Sequence, residues 1–124
     1  MSKTILIAED NSAIAEMLQL LLEEEGYNVK TTADGHAVEQ MCEPFPDLLF
    51  LDIRLSGTDG RAICRQLKSQ EATRQVPIIM ISADKNTKEL AREAGADTFL
   101  AKPFELAEVL SLVEHYVGME ETSS

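Results

Sequence analysis

Five short apolar runs, each followed by a stretch with helical spacing, constrain this chain more than any other feature. Thr4 to Ala8, "TILIA", is rich in β-branched residues and reads as a buried strand. "NVKTTA", "DLLFL", "VPIIMISA" and "DTFLA" are the later runs. Between them lie helical stretches. In "DNSAIAEMLQLLLEEEGY" the residues Ile14, Met17, Leu18, Leu21 and Leu22 recur at helical spacing, Asn11 or Ser12 can cap the start, and Gly26 stops it. "DGHAVEQMCEP" reads as a short helix ended by Pro44, and a third helix runs from about Arg61 to Ser69. "NTKELAREAG" starts at Asn86 or Thr87 and stops at Gly95, and "PFELAEVLSLVEHYV" has Pro103 at its start. Alternating strands and helices imply an α/β fold: a doubly wound five-stranded parallel sheet with helices on both faces.

The length of 124 residues fits one hydrophobic core. One domain is expected over 1–119, with a polar tail over 120–124. A net charge of −11 argues against binding nucleic acid through its phosphates and against an anionic membrane surface. No apolar run reaches membrane-spanning length, and "MSKTILIAED" lacks the apolar segment of a signal peptide. Cys42 and Cys64 both fall in stretches that read as amphipathic helices, with no Cys-x-x-Cys, so two reduced thiols in a cytoplasmic protein are expected.

Polar residues collect where the apolar runs end. Glu9 and Asp10 follow the first strand, Asp52 ends the third, Ser82 the fourth, and Lys102 follows the fifth. Singly, each has an ordinary reading: Asp52 starts an exit turn, Asp10 or Ser82 caps a helix, Lys102 is a solvated loop residue. Jointly, they fall where sites form in open α/β sheets, outside the carboxyl ends of the strands. If strands one and three are neighbours, their ends lie about 4.8 Å apart laterally, and Glu9, Asp10 and Asp52 form one cluster. Three carboxylates together raise a pKa or recruit a cation. Mg²⁺ suits them because it needs few carboxylates and keeps waters, leaving room for phosphate oxygens. With a lysine and a hydroxyl nearby this is a phosphoryl-transfer set, in which an aspartate can be the nucleophile and form an acyl phosphate. His36 and His115 lie away from the strand ends, so a Ser-His-Asp triad fails. No phosphate-binding glycine motif is present.

These residues resemble the two-component response-regulator receiver domain over essentially the whole chain. The likeness rests on "ILIAEDN", "DLLFLDI", "GTDG", "PIIMISA" and "GADTFLAKPF", in this order and spacing. It implies a chemotaxis-regulator-like, flavodoxin-like (βα)5 fold with strand order 2-1-3-4-5. It also implies roles: Asp52 as phosphoacceptor, and Glu9, Asp10, Asp52 and the backbone carbonyl of Arg54 as Mg²⁺ ligands. Ser82 is then the switch hydroxyl, Lys102 the phosphate-pairing lysine and Phe99 the switch aromatic. Arg54 and Asp84 occupy positions that tune phosphate lifetime, and Lys102–Pro103 is a candidate cis peptide. The implied partners are a sensor histidine kinase or histidine phosphotransfer protein, docking near Ile14 and Met17, and a downstream protein. The surface of helix four, strand five and helix five would switch, with slow autodephosphorylation. The sequence departs from the family at Ser56, where proline is common. An aspartyl-phosphate phosphatase is the rival reading; it usually carries a second Asp two residues after the nucleophile, and Arg54 stands there instead. A degenerate receiver is opposed by the intact set of five polar residues.

Overall fold

The computed structural model describes residues 3–55, 57–84 and 86–118. Ser56 and the tail at 120–124 lie outside them. The elements are β1 (Thr4–Ala8), α1 (Ser12–Glu24), β2 (Asn28–Thr32), α2 (Gly35–Glu39), β3 (Leu48–Asp52), β4 (Arg54–Leu55), β5 (Thr58–Asp59), α3 (Gly60–Ser69), β6 (Ile78–Ser82), α4 (Thr87–Ala94), β7 (Thr98–Ala101) and α5 (Leu106–Val117). β2, β1, β3, β6 and β7 form a parallel sheet in that order, which is the expected 2-1-3-4-5 once the small hairpin is set aside.

β3 and β6 are buried along their whole length, as strands covered on both faces must be. Two cores flank the sheet. On one face Ile5, Ile7, Leu48, Phe50, Ile79, Ile81 and Leu100 pack against Leu18 and Leu22 of α1 and Val109 and Val113 of α5. On the other, Leu49, Leu51, Ile78 and Met80 pack against Val38 of α2, Ile63 and Leu67 of α3, and Ala91 and Ala94 of α4. The two-residue period of a strand assigns alternate side chains to the two faces. Among the described residues, no helix is long and apolar enough to cross a membrane.

Three local readings change. The loop after Asp52 contains an antiparallel pair, Arg54–Leu55 with Thr58–Asp59, turned at Gly57 with φ +84°. Both strands are only two residues long, too short for a periodic signal. The second helix stops at Glu39, because Met41 and Phe45 turn inward against the core, and Cys42 lies exposed beyond it. The last helix begins at Leu106, not Pro103: Phe104 packs on the α1/α5 core and Glu105 is extended before the first turn. Lys102–Pro103 is cis, as the resemblance implied, and Glu43–Pro44 is cis as well. Cys64 is buried, and burial pushes its thiol up to about 11.

Gly60 fixes the start of α3 directly behind Asp52. Its amide donates to the Ile53 carbonyl at 2.8 Å. A Cβ there would stand 2.9 Å from Ile53 Cα and would collide with the Asp52 carbonyl oxygen. Gly60→Ala should therefore cost about 3 kcal/mol in urea unfolding. Gly57→Ala, in open space but at positive φ, should cost only about 1 kcal/mol. An unaltered unfolding midpoint for Gly60→Ala would contradict this packing.

Candidate functional site

The carboxyl ends of four strands meet at one edge of the sheet. Glu9 continues the alternation of Ile5 and Ile7, Asp52 that of Leu48 and Phe50, and Lys102 that of Leu100. All of these apolar residues belong to the α1/α5 core. The pleat thus brings one acid from β1, one from β3 and the lysine beyond β7 to the same face. Ser82 continues Ile78 and Met80 and approaches from the other face.

Glu9 and Asp52 are 2% and 6% exposed, so both carboxylates are removed from water. Asp52 is held at both oxygens: Oδ1 accepts from the Arg54 amide at 3.1 Å and Oδ2 from Lys102 Nζ at 3.0 Å. Lys102 Nζ also lies 3.0 Å from Glu9 Oε1. Glu9 Oε2 accepts from the Asn11 amide at 3.0 Å, and Asn11 Oδ1 in turn caps α1 by accepting from Ala13 and Ile14. The contact of Lys102 with Glu9 Oε1 is an ion pair, and among the described residues that buried oxygen has no other partner.

One oxygen each from Glu9, Asp10 and Asp52 fall within 4.8 Å of one another. Burial pushes the Glu9 carboxyl above the ordinary glutamate value, and neighbouring Asp52 adds to this; the Asn11 amide and Lys102 only partly offset it. Burial alone would lower Lys102, but its pairing with Glu9 and Asp52 outweighs that and raises it. Three clustered carboxylates, one with an unsatisfied buried oxygen, fit a hard divalent cation.

A cavity of about 460 Å³ opens over Asp52, lined also by Asp10, Arg54, Ser82, Asp84 and Lys102. Ser82, 4% exposed, accepts the Asp84 amide at Oγ, 2.9 Å away. The structure therefore gathers Glu9, Asp10, Asp52, Ser82 and Lys102 at one edge and sets Arg54 and Asp84 on its rim. Phe99 lies apart from them. It is half-buried against the α2/α3/α4 core and lines a recess with Ala91 and Arg92 of α4.

The sequence reading named Asn11 as a helix cap, which it is, but missed that its amide steadies Glu9, and it missed Gly60, whose lack of a side chain lets α3 approach Asp52. The "GTDG" segment carried that second signal. It also missed Leu20 and Leu106. These are 63% and 46% exposed and line a groove of about 440 Å³ with Met17, which is itself 37% exposed. Ile14 does not line this groove; it is half-buried against the α1/α5 core.

Residues 5–114 match the family described as the response regulator receiver domain. A proposed response regulator from Chloroflexus aurantiacus is 37% identical, with a TM-score of 0.88 over 94% of this chain and 98% of that one. The receiver domain of a sensor histidine kinase from Pseudomonas aeruginosa, with a magnesium ion coordinated in its active-site cleft, is 31% identical. Its TM-score is 0.82 over 95% of this chain and 99% of that one. A chemotaxis protein of Vibrio cholerae shares the fold at 24% identity, with a TM-score of 0.83 over 94% and 99% of the two chains.

The raised Glu9 pKa gives a signed expectation for the metal-free protein. Its folded form binds the proton more tightly than its unfolded form. Stability therefore falls as pH rises from the ordinary value of 4.5 through the folded value. Glu9→Gln, which keeps the shape without the charge, should raise Tm at pH 7 in EDTA and lose the advantage below pH 4.5. A Glu9→Gln protein less stable than the parent at pH 7 would contradict the assignment of burial as the dominant cause.

Proposed function

The chain belongs to the response regulator receiver domain family, and on that premise we propose that Asp52 accepts a phosphoryl group and that the chain is a cytoplasmic signalling switch. The observation that carries this reading is the setting of Asp52. It is buried at the end of the central strand, clamped at both oxygens, and faces an open cavity shared with Ser82 and Lys102.

In this reading an Asp52 oxygen attacks phosphorus, and the bond from phosphorus to the donor nitrogen or acyl oxygen breaks, its electron pair leaving with the donor. The donor is a phosphohistidine of a sensor histidine kinase or histidine phosphotransfer protein. Glu9, Asp10, Asp52 and the Arg54 carbonyl would hold Mg²⁺, which supplies charge stabilisation for the transferring oxygens. Lys102 offsets charge on an equatorial oxygen, and its pairing with Asp52 places it there in advance. Ser82 bonds the incoming group, and Phe99 and the α4/β7/α5 surface shift with it for a downstream partner. Arg54 and Asp84, on the rim, limit the access of water and so set the rate of autodephosphorylation. The groove bearing Met17, Leu20 and Leu106, an apolar strip at the open face of α1, supports docking of a helical donor there.

Acetyl phosphate with Mg²⁺ should add one phosphoryl mass to the parent and none to Asp52→Asn, while both keep the same far-ultraviolet circular dichroism. In the same assay Arg54→Ala combined with Asp84→Ala should alter the decay of the phosphorylated form by several-fold. Phosphoryl uptake by Asp52→Asn would refute the assignment, and an unaltered half-life in the double variant would remove Arg54 and Asp84 from it.

A further inference from the structure

The two ends of α4 are held very differently. At its amino end Asn86 occupies the cap position but makes no side-chain capping bond. A relay that includes two bonds among the described residues ties that end to the site. Ser82 Oγ accepts the Asp84 amide at 2.9 Å, and Asp84 Oδ1 accepts the Asn86 amide at 2.8 Å. At its carboxyl end Gly95 is left-handed at φ +89°, and the amides of Gly95 and Ala96 close the last turn onto Arg92 and Ala91. Beneath that turn lies the stem of Lys68: a Cβ on Gly95 would stand 3.6 Å from Lys68 Cγ.

Lys68 is itself immobilised. Its Nζ donates to the carbonyls of Arg74 at 3.2 Å and Val76 at 2.8 Å, and to Asp97 Oδ2 at 2.9 Å. The same Asp97 oxygen accepts the Ile78 amide at 2.8 Å, and the Asp97 carbonyl accepts the Tyr116 hydroxyl at 3.1 Å. One lysine and one aspartate thus fasten α3, the start of β6, the start of β7 and α5 together at the sheet edge opposite Asp52.

We propose that the Lys68–Asp97 clamp is a fixed pivot for α4, so that a pull on Ser82 moves the amino end of the helix and leaves its carboxyl end in place. This rests on the reading of Asp52 as phosphoacceptor for the origin of the pull; the pivot itself exists without it. Lys68 and Asp97 are positioning residues, far from the reacting atoms. They confine the rearrangement to the half of α4 nearest the site, where Leu90 lines, with Arg54, Asp59 and Asp84, a second cavity of about 420 Å³ next to the one over Asp52. A helix loose at both ends would spend the same pull on a displacement of the whole element.

Amide hydrogen exchange read residue by residue tests this. In the unloaded protein the Gly95 and Ala96 amides should exchange at least about tenfold more slowly than that of Leu90, once corrected for intrinsic rates. Lys68→Met should erase the difference and Lys68→Arg should largely keep it; should Lys68→Met not fold, Lys68→Gln serves the same comparison. Loading with Mg²⁺ and beryllofluoride should alter exchange at Leu90 about tenfold and at Gly95 and Ala96 less than twofold. In Lys68→Met the change should reach both ends. Equal protection at the two ends of the unloaded parent, or a gradient that survives Lys68→Met, would overturn the pivot. Loading that alters no amide would overturn the phosphoacceptor reading and the swing with it, while the unloaded gradient stands or falls on Lys68 alone.

Discussion

One ammonium group shared by two buried carboxylates governs the site. Lys102 Nζ is 3.0 Å from an oxygen of Glu9 and 3.0 Å from an oxygen of Asp52. Without that cation, two acids nearly withdrawn from water would face each other across adjacent strands, with Asp10 close by. The compensation is incomplete, since among the described residues one Glu9 oxygen has no partner beyond the Lys102 ion pair, and the Glu9 pKa stays raised. A site with excess negative charge in a dry setting is poised to take up a divalent cation.

The fold exists in a form that makes this sharing possible. Parallel register sets Asp52 beside Ile81 and Ala8 beside Leu51, which aligns the carboxyl ends of β1, β3 and β6. Strand alternation then turns Glu9, Asp52 and Lys102 to the same face. Gly60 lets α3 close against the Asp52 backbone, and Asn11 both starts α1 and steadies Glu9. Rigid apolar packing on both faces supplies the stiffness that a preorganised charge arrangement needs.

Much of this was legible in the chain because apolar periodicity reports long elements well. "TILIA" and "DLLFL" read as buried strands, and the acids that followed them were conspicuous because burial disfavours charge. The small hairpin at Arg54–Asp59 was not legible, since two-residue strands carry no period. Nor was the early end of α2: Met41 and Phe45 turn inward for tertiary reasons that no local pattern encodes. The delayed start of α5 has the same origin, because Pro103 suits a first helical turn but Phe104 is drawn onto the core. At the site the residue types were legible. The sharing of one ammonium by two carboxylates depends on register and appears only in three dimensions.

Calorimetric titration of the parent protein with Mg²⁺ at pH 7 tests the charge arrangement most directly. One ion should bind, and Glu9→Gln, Asp10→Asn and Asp52→Asn should each weaken it at least about tenfold, as removal of a coordinating carboxylate should. Binding of equal strength in all three variants would show that these acids do not form the cation site, and the account would fail at its base.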